Sequence, residues 1–450
     1  MATQNLSEYE LKRLENIRRN KEMLSALKIH SKASQLFKRP SAVTKLKSEK
    51  KSKTETLEAI RFSLRTRGIT ADPSNALFYN ATTSSNHQTL DHLPMKDAYK
   101  GTHSDCSFIE TLKQQSNSTA KIKNKTECSF ELESMSLDPE NIANVVPGRI
   151  TQMRFFPSND IKMIVAGDRY GNVGFWNVGQ SEVFSYRPHQ TLVLGIVVQS
   201  HCLSKVYTSG KDGFVRMMDA EKEVFDIVYK SSDNASIYAL SQPKNDANCL
   251  YLAEGSGCLT VWDKRIGKCS SSSGLALHQM RINTIDFNPE NPHIAVTSSS
   301  DGTACTWDFR CIGGLDKGSN LPALRRFTHE RGLQSAYFSP SGCTLAITST
   351  DNTVVIYSGV NLKDAAFVNH ERSRRTSIFR TIWGWGDSFL FTGSTKRGVA
   401  VVSAAQKATV MTLESPLLSA TPEKFDTHPY EVGMLAAGTG GGQVYVWTSC

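Results

Sequence analysis

Seven stretches in the last two thirds of this 450-residue chain repeat one pattern. A β-rich run leads to a small-residue turn. An Asp-Gly pair or a variant follows, and then a strand closing on Trp or a substitute. The clearest copy is IAVTSSSDGTACTWDFR, Ile294 to Arg310. The others are Met163–Val178, Val206–Asp219, Leu250–Arg265, Leu345–Ser358, Phe389–Ser403 and Leu435–Ser449. The equivalent closing positions are Trp176, Met218, Trp262, Trp307, Tyr357, Val401 and Trp447, spaced 42, 44, 45, 50, 44 and 46 residues apart.

That period is the length of one four-stranded WD-repeat blade. A single blade cannot bury both its faces, but seven in a ring can, and closure protects the sheet edges. The reading is therefore an all-β fold, a seven-bladed WD-repeat β-propeller over residues 129–450. Upstream runs such as RINTIDFNP (Arg281–Pro289) alternate apolar residues as the inner strand of a blade should. Pro289 ends that strand, because Pro cannot donate to the ladder. The run SFELESMSL (Ser129–Leu137) is expected to supply the outer strand that closes the last blade.

The residues ahead of the propeller differ in kind. Residues 1–70 hold 17 Lys/Arg against 7 Asp/Glu, a net of +10, whereas the whole chain carries +9. The basic excess belongs to the tail, which reads either as an arm for an acidic surface such as nucleic acid or as a solvated spacer. Within residues 1–30, Ser7 to Leu27 carries Leu11, Leu14, Ile17 and Leu24 at helical spacing, with Ser7 and Glu10 as a capping box. This amphipathic helix either docks on a partner or on the propeller, or stays a nascent helix. Residues 31–128 are basic and polar, and are expected to form a largely disordered linker. Lys38–Lys53, KRPSAVTKLKSEKKSK, suits a nuclear import signal or a phosphate-binding strip.

Several function classes find no support. The 10 Cys form no CxxC pair and no zinc-like spacing with His, so no metal is expected. No apolar run reaches the 18 or more residues of a membrane span, and Met1–Asn20 lacks the apolar core of a signal peptide. The expectation is a soluble intracellular protein, monomeric in itself, without a membrane contact. GxSxG, HExxH, Walker and paired-carboxylate motifs are absent, so neither an enzyme nor a cofactor is expected. The run GTGGGQ (Gly438–Gln443) is the turn of the seventh blade, because no helix follows it.

The loops then sort by face. In a blade, the turn from second to third strand and the link to the next blade share one end of the ring. On that end the sequence collects cations: Arg169 (GDRYGN), Lys211 (SGKDG), and Lys396 with Arg397 (STKRG). The link entering the sixth blade, NHERSRRTSIFR, adds His370, Arg372, Arg374, Arg375 and Arg380. Cations converging from separate blades around a central opening are the footprint of phosphate binding, and nucleic acid is the expected ligand. Ordinary solvated turn residues are the alternative. The opposite end carries WDxR twice, as Trp262-Asp263-Lys264-Arg265 and Trp307-Asp308-Phe309-Arg310. Trp and Asp follow from the repeat. The two Arg do not, and are expected either to offer a fork to a partner acceptor or to brace their own blades.

Taken together, the N-terminal YELKRLENIRRNKEMLSAL, the entry VVPGRITQMRFFPS, the blade AGDRYGNVGFWNV and the late FRTIWGWGDS resemble the family of WD repeat-containing protein 76. That family is related to the small propeller subunit of the damaged-DNA-binding complex. The resemblance covers roughly residues 5–30 and 140–450. It implies a nuclear protein that binds DNA, preferring damaged duplex, and associates with chromatin proteins. It also implies docking on the adaptor of a cullin–RING ubiquitin ligase, with Arg265 and Arg310 matching the docking motif. In the related subunit a hairpin between late blades wedges into the duplex. The corresponding Asn369–Arg375 has no aromatic residue, so backbone and shape recognition by cations is expected in place of base extrusion.

The combined expectation is a non-enzymatic nuclear DNA-binding propeller of the DNA-damage response that also serves as a ubiquitin-ligase substrate receptor. Two rivals share the fold: a histone or chromatin-protein reader, and a protein-interaction scaffold without DNA contact.

Overall fold

The computed structural model describes residues 10, 14–20, 22, 91–101, 103–116, 131–231, 235–266, 274–310, 321–369, 379–394 and 397–449. The helix expected over Ser7–Leu27 is seen at residues 10, 14–20 and 22, with Arg18 Nε 3.9 Å from Glu22 Oε1; its remainder lies outside the described residues.

From residue 150 onward the chain builds seven antiparallel sheets in sequence order. Blades 1 to 7 span residues 150–186, 193–230, 237–276, 282–328, 333–369, 382–414 and 422–449. In blade 4 the strands are Ile282–Phe287, Ile294–Ser299, Thr303–Asp308 and Arg325–Thr328, each hydrogen-bonded to the next. The second and third strands of a blade are flanked by sheets on both faces. Continuous buried runs such as MIVAGD (Met163–Asp168) therefore replace simple alternation there.

The seven closing residues all sit on third strands, and all are buried. They pack between blades. Tyr207 of blade 2 meets Trp262 of blade 3 edge-on at 6.0 Å, and Tyr251 of blade 3 stacks on Phe309 of blade 4 at 5.2 Å. Truncating one such aromatic to Ala would cost about 3–5 kcal/mol.

Ring closure uses a strand from before the first blade. Met135–Asn144 pairs with Gln443–Ser449, setting Leu137 opposite Trp447, with a bulge between Leu137 and Ile142. The strand thus begins six residues after Ser129, the start expected from sequence, and runs seven beyond Leu137. Pro139 lies within the bulge, where a missing N–H does no harm.

The linker expected over residues 31–128 needs correction in its last third. His92–Pro94 adds a fifth strand to the outer edge of blade 2, pairing with Val224–Asp226. A short helix α1 (Met95–Ala98) follows, and then α2 (Cys106–Ser116). Met95, Ala98, Phe108, Ile109 and Leu112 are buried against Phe175, Phe184, Tyr186 and Phe225 of blades 1 and 2. The Tyr186 hydroxyl donates to Asp105 Oδ2 at 2.8 Å, anchoring the turn before α2. The segment orders because blade 2 presents an open edge and an uncovered apolar surface that these residues satisfy.

Candidate nucleic-acid interface

Strand direction alternates within every blade, so two ends of the ring can be told apart. The turns between second and third strands and the links between blades occupy one end, here called the rim. The turns leaving the third strands occupy the other.

Local hydrogen bonding fixes the rim turns of blades 1, 2 and 4. In blade 1, Asp168 Oδ1 accepts the N–H of Tyr170 (2.8 Å) and of Asn172 (2.9 Å), which folds the turn around Arg169. Gly171 takes φ +90, and a Cβ there would come within 2.1 Å of the His189 carbonyl. Arg169 is exposed and lies 4.9 Å above the Tyr170 ring, itself 48% exposed.

In blade 2 the buried His189 holds the turn of Lys211. Its Nδ1 lies 3.0 Å from Asp212 Oδ2 and its Nε2 2.9 Å from Thr208 Oγ1. Burial opposes ionisation of Asp212, but the hydrogen bond and charge of His189 outweigh it and hold the carboxyl below its usual range. Lys211 itself is exposed. Blade 4 repeats the device: His278 Nε2 lies 2.7 Å from Thr297 Oγ1, which also receives the Trp307 indole N–H at 2.7 Å. In blade 6, Arg397 is exposed at φ 57.

The rim therefore presents Arg169, Lys211 and Arg397 to solvent from blades 1, 2 and 6. His370, Arg372, Arg374, Arg375 and Lys396 lie outside the described residues. Arg380 is not a rim cation. It precedes the inner strand Ile382–Trp383 and turns into the central channel. There its Nη1 donates to Gln152 Oε1 of blade 1 at 3.4 Å, and its Nη2 donates to the Asn283 carbonyl of blade 4 at 3.0 Å. A residue leading directly into an innermost strand has the channel beside it, which the sequence pattern did not reveal.

Sequence reasoning also missed cations that the fold brings beside these. Arg149 forks onto Glu423 of blade 7 through Nε (2.9 Å) and Nη2 (2.6 Å). Arg281 lies over the Tyr238 ring at 5.1 Å and donates to Ser300 Oγ at 2.8 Å. Lys424 is buried in the channel wall. Their signal was positional: each sits in or just before a first strand.

At the opposite end, the two WDxR arginines are not unengaged forks. Arg265 Nη2 donates to Asp263 Oδ2 (2.6 Å) and its Nε to Oδ1 (3.1 Å), while its backbone N–H also reaches Oδ1 (2.8 Å). Arg310 repeats the arrangement on Asp308, with Nε at 3.0 Å and backbone N–H at 3.0 Å from Oδ1. The hydrogen bonds from Arg310 bring Asp308 down to about 2. Trp262 and Trp307 are buried beneath. Both guanidinium side chains stay about two-thirds exposed, at 68% and 67%. Each is thus oriented by its own Asp and still reachable from solvent.

Among the described residues no cluster of His, Cys, Asp or Glu could hold a metal ion, and no helix is long and apolar enough to cross a membrane.

Seven sheets closed by a strand from before the first blade, with Trp on four of the third strands, define a WD-repeat β-propeller protein. The family model for the WD domain, G-beta repeat, matches residues 267–308 and 322–358. The chain is similar to WD repeat-containing protein 76 of Xenopus laevis, being 27% identical over 407 residues that cover 84% of this chain and 69% of that protein. It is likewise 25% identical over 518 residues to the DNA damage-binding protein CMR1 of Phaeosphaeria nodorum, covering 98% of each. A protein of the same description from Scheffersomyces stipitis is 27% identical over 368 residues, 68% of this chain and 70% of that one.

Proposed function

We propose that this propeller is a non-enzymatic nuclear protein that binds duplex DNA through its rim, prefers damaged duplex, and acts in the DNA-damage response. The observation that carries the reading is the exposure of Arg169, Lys211 and Arg397 on one end of a closed ring. Exposed cations on the rim turns suit phosphate contacts, which position a duplex without reading its sequence. Relatives described as DNA damage-binding proteins support the ligand class. Association with chromatin proteins and nuclear residence follow from such a ligand. The second half of the proposal is docking on a cullin–RING ligase adaptor through Arg265 and Arg310, supported by their exposure and their fixed orientation.

Titrating the full chain with intact and ultraviolet-irradiated duplex at two salt concentrations tests the DNA half. Affinity should fall steeply as salt rises, and the irradiated duplex should bind more tightly. Absence of duplex binding at low salt, with histone peptides binding instead, would overturn it in favour of a chromatin-protein reader.

A further inference from the structure

We propose that the central channel holds a small phosphate-class oxyanion, seated among Lys424, Arg380 and Arg149. This inference does not rest on duplex binding and survives if the rim proves inert toward DNA.

Among the described residues, Arg149, Arg380 and Lys424 gather in or just before first strands, with the Glu423 carboxylate beside them. Arg149 and Glu423 neutralise each other through their fork. Arg380 crosses from blade 6 but meets only neutral acceptors, the Gln152 amide oxygen and the Asn283 carbonyl. Its Nε is buried without a hydrogen-bond partner. Lys424, on the first strand of blade 7, is only 7% exposed. A bulge between Pro422 and Lys424 interrupts the ladder beside it. The charged neighbours of Lys424 are Arg380, Glu423 and Arg149. With Lys424 protonated, these three cations and Glu423 sum to +2.

A buried cation without a counter-charge is costly, and a protein relieves that cost by pairing it or by discharging it. Burial, followed by the repulsion of Arg380 and Arg149, drives the Lys424 ammonium well below its usual range, against the pull of Glu423. An anion in contact with Lys424 and Arg380 would reverse that balance. A surplus of two charges, one on a guanidinium and one on an ammonium, fits a dianionic phosphate with several acceptor oxygens. A monocarboxylate would leave half of the charge unmatched.

The test is thermal melting of the full chain at constant ionic strength. Chloride is replaced by inorganic phosphate, by pyrophosphate or by ribose 5-phosphate. Wild type should gain about 3 °C at a hundredfold excess over Kd in at least one arm. The arm that responds separates an inorganic anion from a phosphate ester. Lys424→Met removes the amine at similar volume. It should melt higher than wild type without anion and show no anion-dependent gain. Arg380→Gln, which keeps a donor for the Asn283 carbonyl, should also lose the gain. A wild-type Tm that moves in none of the arms overturns the proposal, leaving Lys424 as a buried neutral amine. So does a Lys424→Met protein that retains the full gain.

Discussion

Phe108 of α2 stacks on Phe184 of blade 1, with ring centroids 5.0 Å apart and an interplanar angle of 18°. The same ring also meets Phe175 at 4.9 Å. One side chain from before the propeller thus seals the outer edge of its first blade. Phe108→Ala should lower stability by about 3 kcal/mol, the ordinary cost of deleting a buried aromatic ring. Removing residues 1–90 should leave the melting temperature nearly unchanged, because the described contacts of this edge begin at Asp91. Removing residues 1–116 should lower it sharply. Equal melting temperatures for the two truncations would refute a structural role for α1 and α2.

The propeller was readable in the sequence because its repeat makes two physical demands at once. Trp307 and its six equivalents recur at a blade's length, and each must be buried on a third strand. Residues 91–116 make no periodic demand. Phe108, Ile109 and Leu112 sit within a polar, Ser- and Lys-containing stretch whose composition resembles an unfolded chain. Only the open edge at Val224–Asp226 gives that stretch a place to fold, and that edge is tertiary information. In sequence Arg380 looks like one more cation in a basic loop, since distances from blade 6 to Gln152 and Asn283 are absent from any local pattern. Arg265 and Arg310 were recognisable as additions to the repeat, but their capture by Asp263 and Asp308 required side-chain geometry.

For the rim, Arg169 and Lys211 make a cleaner pair than any including Arg380. Both are exposed on adjacent blades, and the turns beneath them are fixed by Asp168 and Asp212 rather than by the cations themselves. Arg169→Glu combined with Lys211→Glu should weaken duplex binding on all sequences alike. The slope of log K against log salt should flatten by roughly one per lost phosphate contact. A correctly folded double variant with unaltered affinity and slope would sink the rim as the DNA surface.

Asp286 gives folding stability a pH dependence. It is half-buried on the first strand of blade 4, and its Oδ2 accepts the Phe338 N–H at 2.9 Å. Burial pushes its carboxyl up to about 6, against the opposing pull of the Phe338 N–H, Arg154 and Lys244. The folded protein therefore keeps this proton at a pH where the unfolded chain, near 4, has lost it. Folding stability should fall as pH rises from about 4 to 6, and the full penalty persists above that window. Asn at this position carries no charge and can still accept the N–H. Asp286→Asn should be more stable than wild type by about 1 kcal/mol at pH 7.5, because its partial exposure to solvent screens part of the penalty. The advantage should vanish below pH 4. Denaturant midpoints across pH 4–8 check this, and a gap that does not change with pH would exclude Asp286 as its origin.

At the opposite end of the ring, Arg265 and Arg310 set a sharper test because each is already bonded within its own motif. Asp263 and Asp308 hold the guanidinium planes, so a partner acceptor would meet a preorganised donor rather than a mobile one. Removing both Arg leaves that acceptor unmatched, which costs about 2–5 kcal/mol if it is buried in the interface. Arg265→Ala with Arg310→Ala should therefore abolish co-purification of the ligase adaptor while duplex affinity and melting temperature hold. Asp263→Asn with Asp308→Asn keeps both guanidinium groups but loosens their orientation, and should weaken the same interaction by a smaller factor. Loss of adaptor and DNA binding together, with a lowered melting temperature, would mean that these pairs only brace their blades. Adaptor binding that survives both double variants would move the docking surface elsewhere on the chain.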